Sequence, residues 1–144
     1  MTDFTLITTL YTLEPVLICV TRLSPSKIII LTEEDTAEKK MQAEQLLEAT
    51  FGKVIEIRKA ITSLYDPVKV ARDVATLIET EHALGRKVLI NVSGGRKPQA
   101  FGALFGAYAR SDMVARIVYV TEEDNFIIDF PVLSFNISPT KKMI

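Results

Sequence analysis

The sequence has too few metal-binding and disulfide-forming residues to build either kind of site. Its 144 residues include one cysteine, Cys19, and one histidine, His82. A single thiol forms no internal disulfide, and one cysteine with one histidine cannot make a zinc site. Cys19 lies in an apolar run and is expected to be buried and inert. His82 ends a predicted helix, where an imidazolium suits the helix dipole, so its expected role is structural and no metal or cofactor is expected.

The sequence also lacks a strong charge imbalance and a long hydrophobic run. It contains 17 basic and 18 acidic residues, which provides no broad positive surface for duplex nucleic acid. Any anion site must therefore be local. The longest apolar stretch near the N-terminus is interrupted by Glu14 and Pro15, and no signal peptide or membrane-spanning run is recognisable. These features predict a cytoplasmic protein that does not contact membranes.

What the sequence does contain is a regular alternation of strand-like and helix-like segments. Strands are expected over residues 3–7, 27–32, 54–57, 87–92, 116–120 and 126–130. This order predicts an α/β fold, a Rossmann-like three-layer sandwich whose sheet is mainly parallel. The last two strands are separated by only four polar residues, too few for a parallel crossover, so they should form a C-terminal antiparallel hairpin. Residues 1–136 are expected to form this domain, and residues 137–144 a linker or the start of a further element.

Helices are expected over residues 13–23, between Asp35 and Gly52, from Pro67 to just before Gly85, and over residues 98–109. Thr12 and Asp66 are the expected caps of the first and third helices, and Asp35 with Glu38 forms a possible capping box for the second. Three apolar residues should form the buried stripe of the second helix: Met41, Leu46 and Leu47.

Two loops should carry the function, because ligands of an open α/β sheet bind at the carboxyl ends of its strands, where the strand order reverses. One loop follows the first strand and the other follows the fourth. The glycines of the second loop allow backbone N–H groups to approach a ligand, and its basic pair precedes the start of a helix. The predicted ligand-binding residues are Thr8, Thr9, Leu10, Tyr11, Ser93, Gly94, Gly95, Arg96 and Lys97.

The second loop matches neither a Walker A loop nor a dinucleotide fingerprint in the spacing of its glycines. A tight turn with a solvated basic pair is the alternative interpretation. Cations at a helix N-terminus oppose the helix dipole, however, and this arrangement favours an anion site. Three aromatic residues lie near the loops in sequence and are candidates to stack on a base: Tyr11, Phe101 and Tyr108.

The segment Asn91-Val92-Ser93-Gly94-Gly95-Arg96-Lys97 resembles the second signature of the CARF family, the Rossmann-like sensor domains of CRISPR systems. Thr8 and Thr9 resemble the hydroxyl-bearing loop after the first strand of that family, and the order of elements with a terminal hairpin agrees. The resemblance implies a homodimer that binds a cyclic oligoadenylate, chiefly cyclic tetra-adenylate, across its two-fold axis. The helix over residues 98–109, which is rich in small residues, is a candidate for the dimer interface.

The resemblance leaves three functions open. In the first, the chain is a sensor that regulates transcription or an effector, and it contacts DNA only through a winged-helix domain after residue 144. In the second, it is a metal-independent ring nuclease that cuts cyclic tetra-adenylate to linear di-adenylate, with Lys97 and Thr9 as catalytic residues and Thr8 as an alternative to Thr9. In the third, it binds another small phosphorylated ligand and has no link to CRISPR. The sequence does not decide whether the protein is an enzyme.

Overall fold

Six strands form one sheet in the computed structural model, which describes residues 3–132. The strands are β1 (Phe4–Thr8), β2 (Lys27–Thr32), β3 (Glu56–Ile61), β4 (Lys87–Asn91), β5 (Val114–Val120) and β6 (Ile127–Phe130). Their order across the sheet is β3-β2-β1-β4-β5-β6. Neighbours from β3 to β5 are parallel, and β6 pairs antiparallel with β5. The predicted parallel sheet and its C-terminal hairpin are confirmed.

Within residues 3–132, four α-helices cover the two faces of this sheet: α1 (Leu13–Leu23), α2 (Glu38–Phe51), α3 (Pro67–Ala83) and α4 (Lys97–Ala109). Side chains of α1 and α2 share one core with the sheet, and side chains of α3 and α4 share the other. The predicted three-layer arrangement is therefore confirmed. No helix within residues 3–132 is both long and apolar enough to cross a membrane.

The strand β2 lies inside the sheet and contributes to both cores, as its continuous hydrophobicity predicts. Ile28 and Ile30 face α1 and α2, whereas Ile29 and Leu31 face α3 and α4. Cys19 lies in the first of these cores and is fully buried. The prediction of a buried cysteine is therefore confirmed. This burial raises the pKa of its thiol to about 11.

The helix α2 differs most from expectation. It starts at Glu38 with Ala37 at its N-cap, so the expected capping box that begins at Asp35 is wrong. Met41 and Leu46 are exposed, and of the expected stripe only Leu47 is buried. The remaining buried residues of the helix are Lys40, Ala43 and Glu44. The buried face tolerates Lys40 because its ammonium donates to the Leu31 carbonyl at 3.0 Å and to Glu33 at 2.8 Å.

The boundaries of two strands differ from expectation by two or more residues. The third strand covers Glu56–Ile61 instead of residues 54–57, so Arg58 and Lys59 belong to a strand and not to a connection. As an edge strand it leaves much of its surface in water, and its boundary follows its pairing with β2. The fifth strand likewise starts at Val114 and not at residue 116, and other boundaries shift by one residue. Thr12 is the N-cap of α1, but its side chain makes no capping bond to any described residue.

The small residues of α4 bring it close to α3. A Cβ atom added to Gly102 would lie 2.6 Å from the Val70 Cβ and 2.8 Å from the Pro67 carbonyl oxygen. One added to Gly106 would lie 2.7 Å from the Ala71 carbonyl oxygen. The two glycines therefore allow α4 to pack closely against α3 of the same chain. Phe101 and Phe105 lie on another side of α4 and remain exposed.

A buried ion pair joins α3 to the amino ends of two strands. Glu81 of α3 is 2 % exposed. Its carboxylate accepts hydrogen bonds from the Thr5 hydroxyl at 2.7 Å and from the Lys27 ammonium at 2.9 Å. Both carboxylate oxygens thus accept a hydrogen bond. These bonds fix α3 at the end of the sheet where β1 and β2 begin, opposite to the predicted site.

We expect Gly102→Ala to destabilise the fold, because the added methyl group overpacks the contact between α3 and α4 at a cost of about 1 to 3 kcal/mol. Alanine in a helix interior offsets about 1 kcal/mol of this cost, so the expected net loss is up to about 2 kcal/mol. Urea unfolding measures the difference. A variant more stable than the parent would contradict the close contact.

We expect Glu81→Ala to lower the free energy of unfolding by about 3 to 5 kcal/mol, since it leaves the Lys27 charge without its buried partner. Glu79→Ala is the control on the same helix. Glu79 pairs with Arg110 at 3.3 Å on the surface. Its loss should cost less than about 1 kcal/mol. Equal losses in urea unfolding of the two variants would refute the buried ion pair.

Candidate functional site

The two predicted loops lie side by side at the carboxyl edge of the sheet. β1 and β4 are hydrogen-bonded neighbours, and the strand order reverses between them. Beyond the last paired residues, the Thr9 N–H donates to the Asn91 carbonyl at 3.1 Å. The loop after β1 and the segment Ser93–Lys97, called here the anion turn, therefore form one surface, as predicted.

Asn91 joins the two loops through its side chain. Its amide nitrogen donates to the Thr8 hydroxyl at 3.0 Å. Its amide oxygen accepts from the Ser93 N–H at 3.1 Å and from the Ser93 hydroxyl. The Asn91 side chain is fully buried, and its bond to Thr8 is shielded from water, whereas Ser93 is only partly buried. Sequence reasoning quoted Asn91 within the motif but gave it no role, and the signal was a polar residue at the end of a buried strand.

The hydroxyl groups of Thr8 and Thr9 point into the protein. Both residues are fully buried. Thr8 donates to the Thr9 carbonyl at 2.7 Å, and the Thr9 hydroxyl donates to the Asn91 carbonyl at 3.4 Å. The Thr9 hydroxyl also accepts the Gly94 N–H at 3.1 Å. The two threonines thus shape the anion turn, and their direct contact with a ligand stays a prediction.

The two glycines of the anion turn have different reasons: close backbone approach for Gly94 and a positive φ for Gly95. A Cβ on Gly94 would lie 3.0 Å from the Tyr11 nitrogen and 3.3 Å from the Leu10 Cα. Gly95 has a φ of +79°, a conformation that other residues adopt only at a cost. The side of the turn is held by Ser93, whose hydroxyl accepts the Val120 N–H at 2.7 Å.

The basic residues of the turn are exposed at the start of α4. Arg96 is the N-cap of α4, and Lys97 and Pro98 open its first turn. Among residues 3–132, no side chain caps this helix start. The Arg96 guanidinium lies 5.6 Å from the centre of the Tyr11 ring. Two cations and the positive end of a helix dipole therefore meet here, which favours a bound anion.

The anion turn forms a ridge between two open cavities. The first, of about 360 Å³, is called the Tyr11 cavity; it is lined by Tyr11, Glu14, Thr121, Asn125 and their neighbours. The second, of about 300 Å³, is called the Phe101 groove; it is lined by Lys97, Phe101, Leu104, Tyr119 and Phe130 among others. Ser93, Gly94 and Gly95 line both. A ligand seated on the ridge would reach both sides.

The three aromatic candidates have different positions. Tyr11 lines the first cavity and Phe101 lines the second, with 37 % and 54 % of each side chain exposed. Tyr108 is half-buried near the end of α4, about three turns beyond the anion turn. The structure thus brings two of the three rings to the ridge.

Sequence reasoning missed a buried polar network beneath the turn. Gln99 is fully buried, and its amide nitrogen donates to the Ser63 carbonyl at 3.1 Å and to Glu33 at 3.4 Å. Glu33 also accepts from Lys40. The only sequence signal for this network was Glu33, an acidic residue directly after β2. Within residues 3–132, no three carboxylate, histidine or cysteine side chains are arranged to hold a metal ion.

We expect Gly95→Ala to destabilise the protein more than Gly85→Ala. Both glycines have nearly the same positive φ, +79° and +78°, so the backbone cost of about 1 to 2 kcal/mol is shared. A Cβ on Gly85 meets nothing within 4 Å, whereas one on Gly95 lies 2.9 Å from the Gln99 oxygen and 3.3 Å from the Thr9 Cβ. Urea unfolding should show an extra loss of about 1 kcal/mol for Gly95→Ala. Equal losses would contradict the close packing of the turn.

Solved structures share this fold. Can2 from Sulfobacillus thermosulfidooxidans, in complex with cyclic tetra-adenylate, has a TM-score of 0.72 and 21% identity over 88% of this chain and 34% of its own. A type III CRISPR defence DNA nuclease activated by cyclic oligoadenylate has a TM-score of 0.62 and 19% identity over 83% of this chain and 19% of its own. Enterococcus italicus Csm6 bound to cyclic hexa-2′-fluoro-hexa-dAMP has a TM-score of 0.66 and 12% identity over 86% of this chain and 35% of its own.

These likenesses confirm the CARF-type Rossmann fold that the sequence resemblance implies. The chain spans 19% to 35% of the lengths of these three solved chains. A comparison with curated proteins found no match. A family model described as "HFX_2341_N:-like, N-terminal" matches residues 6–125, which is most of the described fold. The chain therefore belongs to the HFX_2341_N-like, N-terminal family.

Proposed function

We propose that this domain is a sensor that binds cyclic oligoadenylate on the anion turn, with cyclic tetra-adenylate as its ligand. The observation that carries the proposal is the position of the turn at the switch point of the sheet, as a ridge between two cavities. Such a ridge suits a ring whose phosphates and bases alternate, because phosphates can rest on the turn while bases enter the cavities on either side.

The chemistry of the ridge fits a phosphodiester. Arg96 and Lys97 supply full positive charges, and the start of α4 adds backbone donors. Tyr11 and Phe101 offer partly exposed rings on the two sides of the turn, and any base can stack on such a ring. Charge for phosphate and aromatic surface for bases thus occur together.

Similarity of fold supports this ligand over an unrelated phosphorylated molecule. Structures with the same fold are described with cyclic tetra-adenylate, with a cyclic hexanucleotide analogue, or as activated by cyclic oligoadenylate. One fold hosts many functions, so the fold alone would be weak support. The support comes from the fold and the cationic ridge taken together.

We also propose that two copies of the domain complete the site as a homodimer. The outward side of α4 exposes Phe101 and Phe105 by 54 % and 58 %, and Ile128 of β6 is 45 % exposed. The Phe101 groove runs from this apolar surface to the anion turn. Exposed aromatic surface next to a site favours a protein interface, and a two-fold ligand suits a symmetric dimer.

The position of Thr9 favours sensing over cleavage. A ring nuclease needs a hydroxyl that can orient the ribose or phosphate at the reacting atoms. The Thr9 hydroxyl is buried and already bonded to the Asn91 carbonyl and the Gly94 N–H. We therefore propose a sensor that acts on transcription or on an effector. The expected linker at residues 137–144 lies outside the described residues.

Isothermal titration of the protein with cyclic tetra-adenylate in EDTA, with chromatography of the mixture afterwards, tests the proposal. We expect tight binding, intact ligand after prolonged incubation, and a stoichiometry of one ring for two chains. Conversion of the ligand to linear di-adenylate would refute the sensor proposal and support the ring-nuclease function instead. A lack of binding by both the cyclic tetra- and hexa-adenylate would exclude both functions.

Lys97→Ala should weaken the binding of cyclic tetra-adenylate about tenfold or more, because one charged hydrogen bond contributes about 1.5 to 3 kcal/mol. The control is Lys87→Ala, which removes an exposed lysine from the opposite end of β4. Titration at constant salt should leave that variant within about twofold of the parent. Parent-like affinity of Lys97→Ala would remove this lysine from the site.

A further inference from the structure

Two cationic side chains from distant parts of the chain lie near the ring of Tyr11. The Lys39 ammonium lies 5.3 Å from the ring centre, and the Arg96 guanidinium lies 5.6 Å from it. Lys39 belongs to the first turn of α2, and Arg96 precedes α4. Each contact with the ring is favourable, but two like charges held near one ring repel each other. An anion between them would relieve that repulsion.

Nearby acidic residues do not cancel this charge. The carboxylate of Glu33 is paired with Lys40 at 2.8 Å, and both side chains are nearly buried. Asp35 shares a small cavity of about 40 Å³ with Tyr11 and Arg96. Among the described residues, however, neither Lys39 nor Arg96 forms an ion pair with a carboxylate.

A buried polar side chain, Gln99, lies beneath the same turn and is an independent observation. Its amide nitrogen must face Ser63 and Glu33, because both offer only oxygen acceptors. Its oxygen is thereby directed at the turn, 2.9 Å from where a Cβ of Gly95 would lie. This buried oxygen has no hydrogen-bond partner within the described part of the chain. The turn is therefore left with an unsatisfied acceptor, which is costly unless a donor reaches it.

We infer that Lys39 and Arg96, positioned by Tyr11, bind a second phosphate of the ligand, next to the phosphate bound by Lys97. This inference rests on the proposed function, in which the anion turn holds a phosphodiester. Two phosphate positions require a ligand with at least two phosphates. Lys39 is thus a binding residue far in sequence from the motif.

Titration of the full chain with cyclic tetra-adenylate and with AMP tests this role. Lys39→Ala should weaken the binding of cyclic tetra-adenylate about tenfold, while AMP, with one phosphate, should lose less than about threefold. The slope of log K against log salt concentration should become less negative by about one, because one phosphate contact is lost. Lys53→Ala is the matched control, because Lys53 is exposed just after the other end of α2. It should stay within about twofold of the parent, and Lys39→Arg should restore most of the affinity.

The outcomes separate this inference from the proposed function. If the parent protein binds cyclic tetra-adenylate and Lys39→Ala behaves like Lys53→Ala, the second phosphate position is refuted and the sensor function stands. If the parent binds neither ligand, both are refuted. Equal losses for AMP and cyclic tetra-adenylate would assign Lys39 to the first phosphate and overturn the two-phosphate site. Circular dichroism and thermal melting of each variant confirm that affinity is compared between folded proteins.

Discussion

The side chain of Asn91 is the constraint on which the candidate site depends. It donates to Thr8 at the end of β1 and accepts from the backbone and hydroxyl of Ser93 beyond β4. Parallel strands that end side by side do not by themselves fix the loops that follow them. Here one buried amide joins both loops in a shielded environment, where hydrogen bonds are strong and their loss is costly. Because Asn91 fixes Ser93, the glycines and cations that follow are held at the edge of the sheet in one position.

Polar and charged groups are buried at both edges of the sheet and act differently there. At the amino edge, Glu81 has a partner for each carboxylate oxygen, so the contact is closed and structural. At the carboxyl edge, Glu33, Lys40 and Gln99 form a network that leaves the Gln99 oxygen without a partner among the described residues. Native proteins satisfy most buried polar groups, and the exceptions concentrate at functional positions. The difference between the two edges therefore supports the assignment of function to the carboxyl edge.

The sequence predicts well those parts of the fold that local signals control. The continuous apolar run of β2 predicts a strand inside the sheet, and Asp66 before Pro67 predicts a helix start. The Asp66 carboxylate accepts hydrogen bonds from two backbone N–H groups, which confirms that start. The edge strand β3 and the buried face of α2 escaped prediction because partners distant in the chain decide them. A lysine such as Lys40 is normally exposed, and only the Leu31 carbonyl and Glu33 make its burial possible.

The candidate site divides in the same way between local and distant causes. A motif with two glycines and a basic pair at a helix start is visible in one segment, so the anion turn could be located without a structure. The direction of a hydroxyl is not visible there. The structure shows that the hydroxyl groups of Thr8 and Thr9 hold the loops, and their contact with a ligand stays a prediction. Lys39 could not be connected to Arg96 either, because only the packing of α2 and α4 around Tyr11 brings them together. The exposed groups of this ridge include Arg96, Lys97 and the rings of Tyr11 and Phe101, which can bind phosphates and bases. Their exposure supports the proposal that the site recognises a nucleotide.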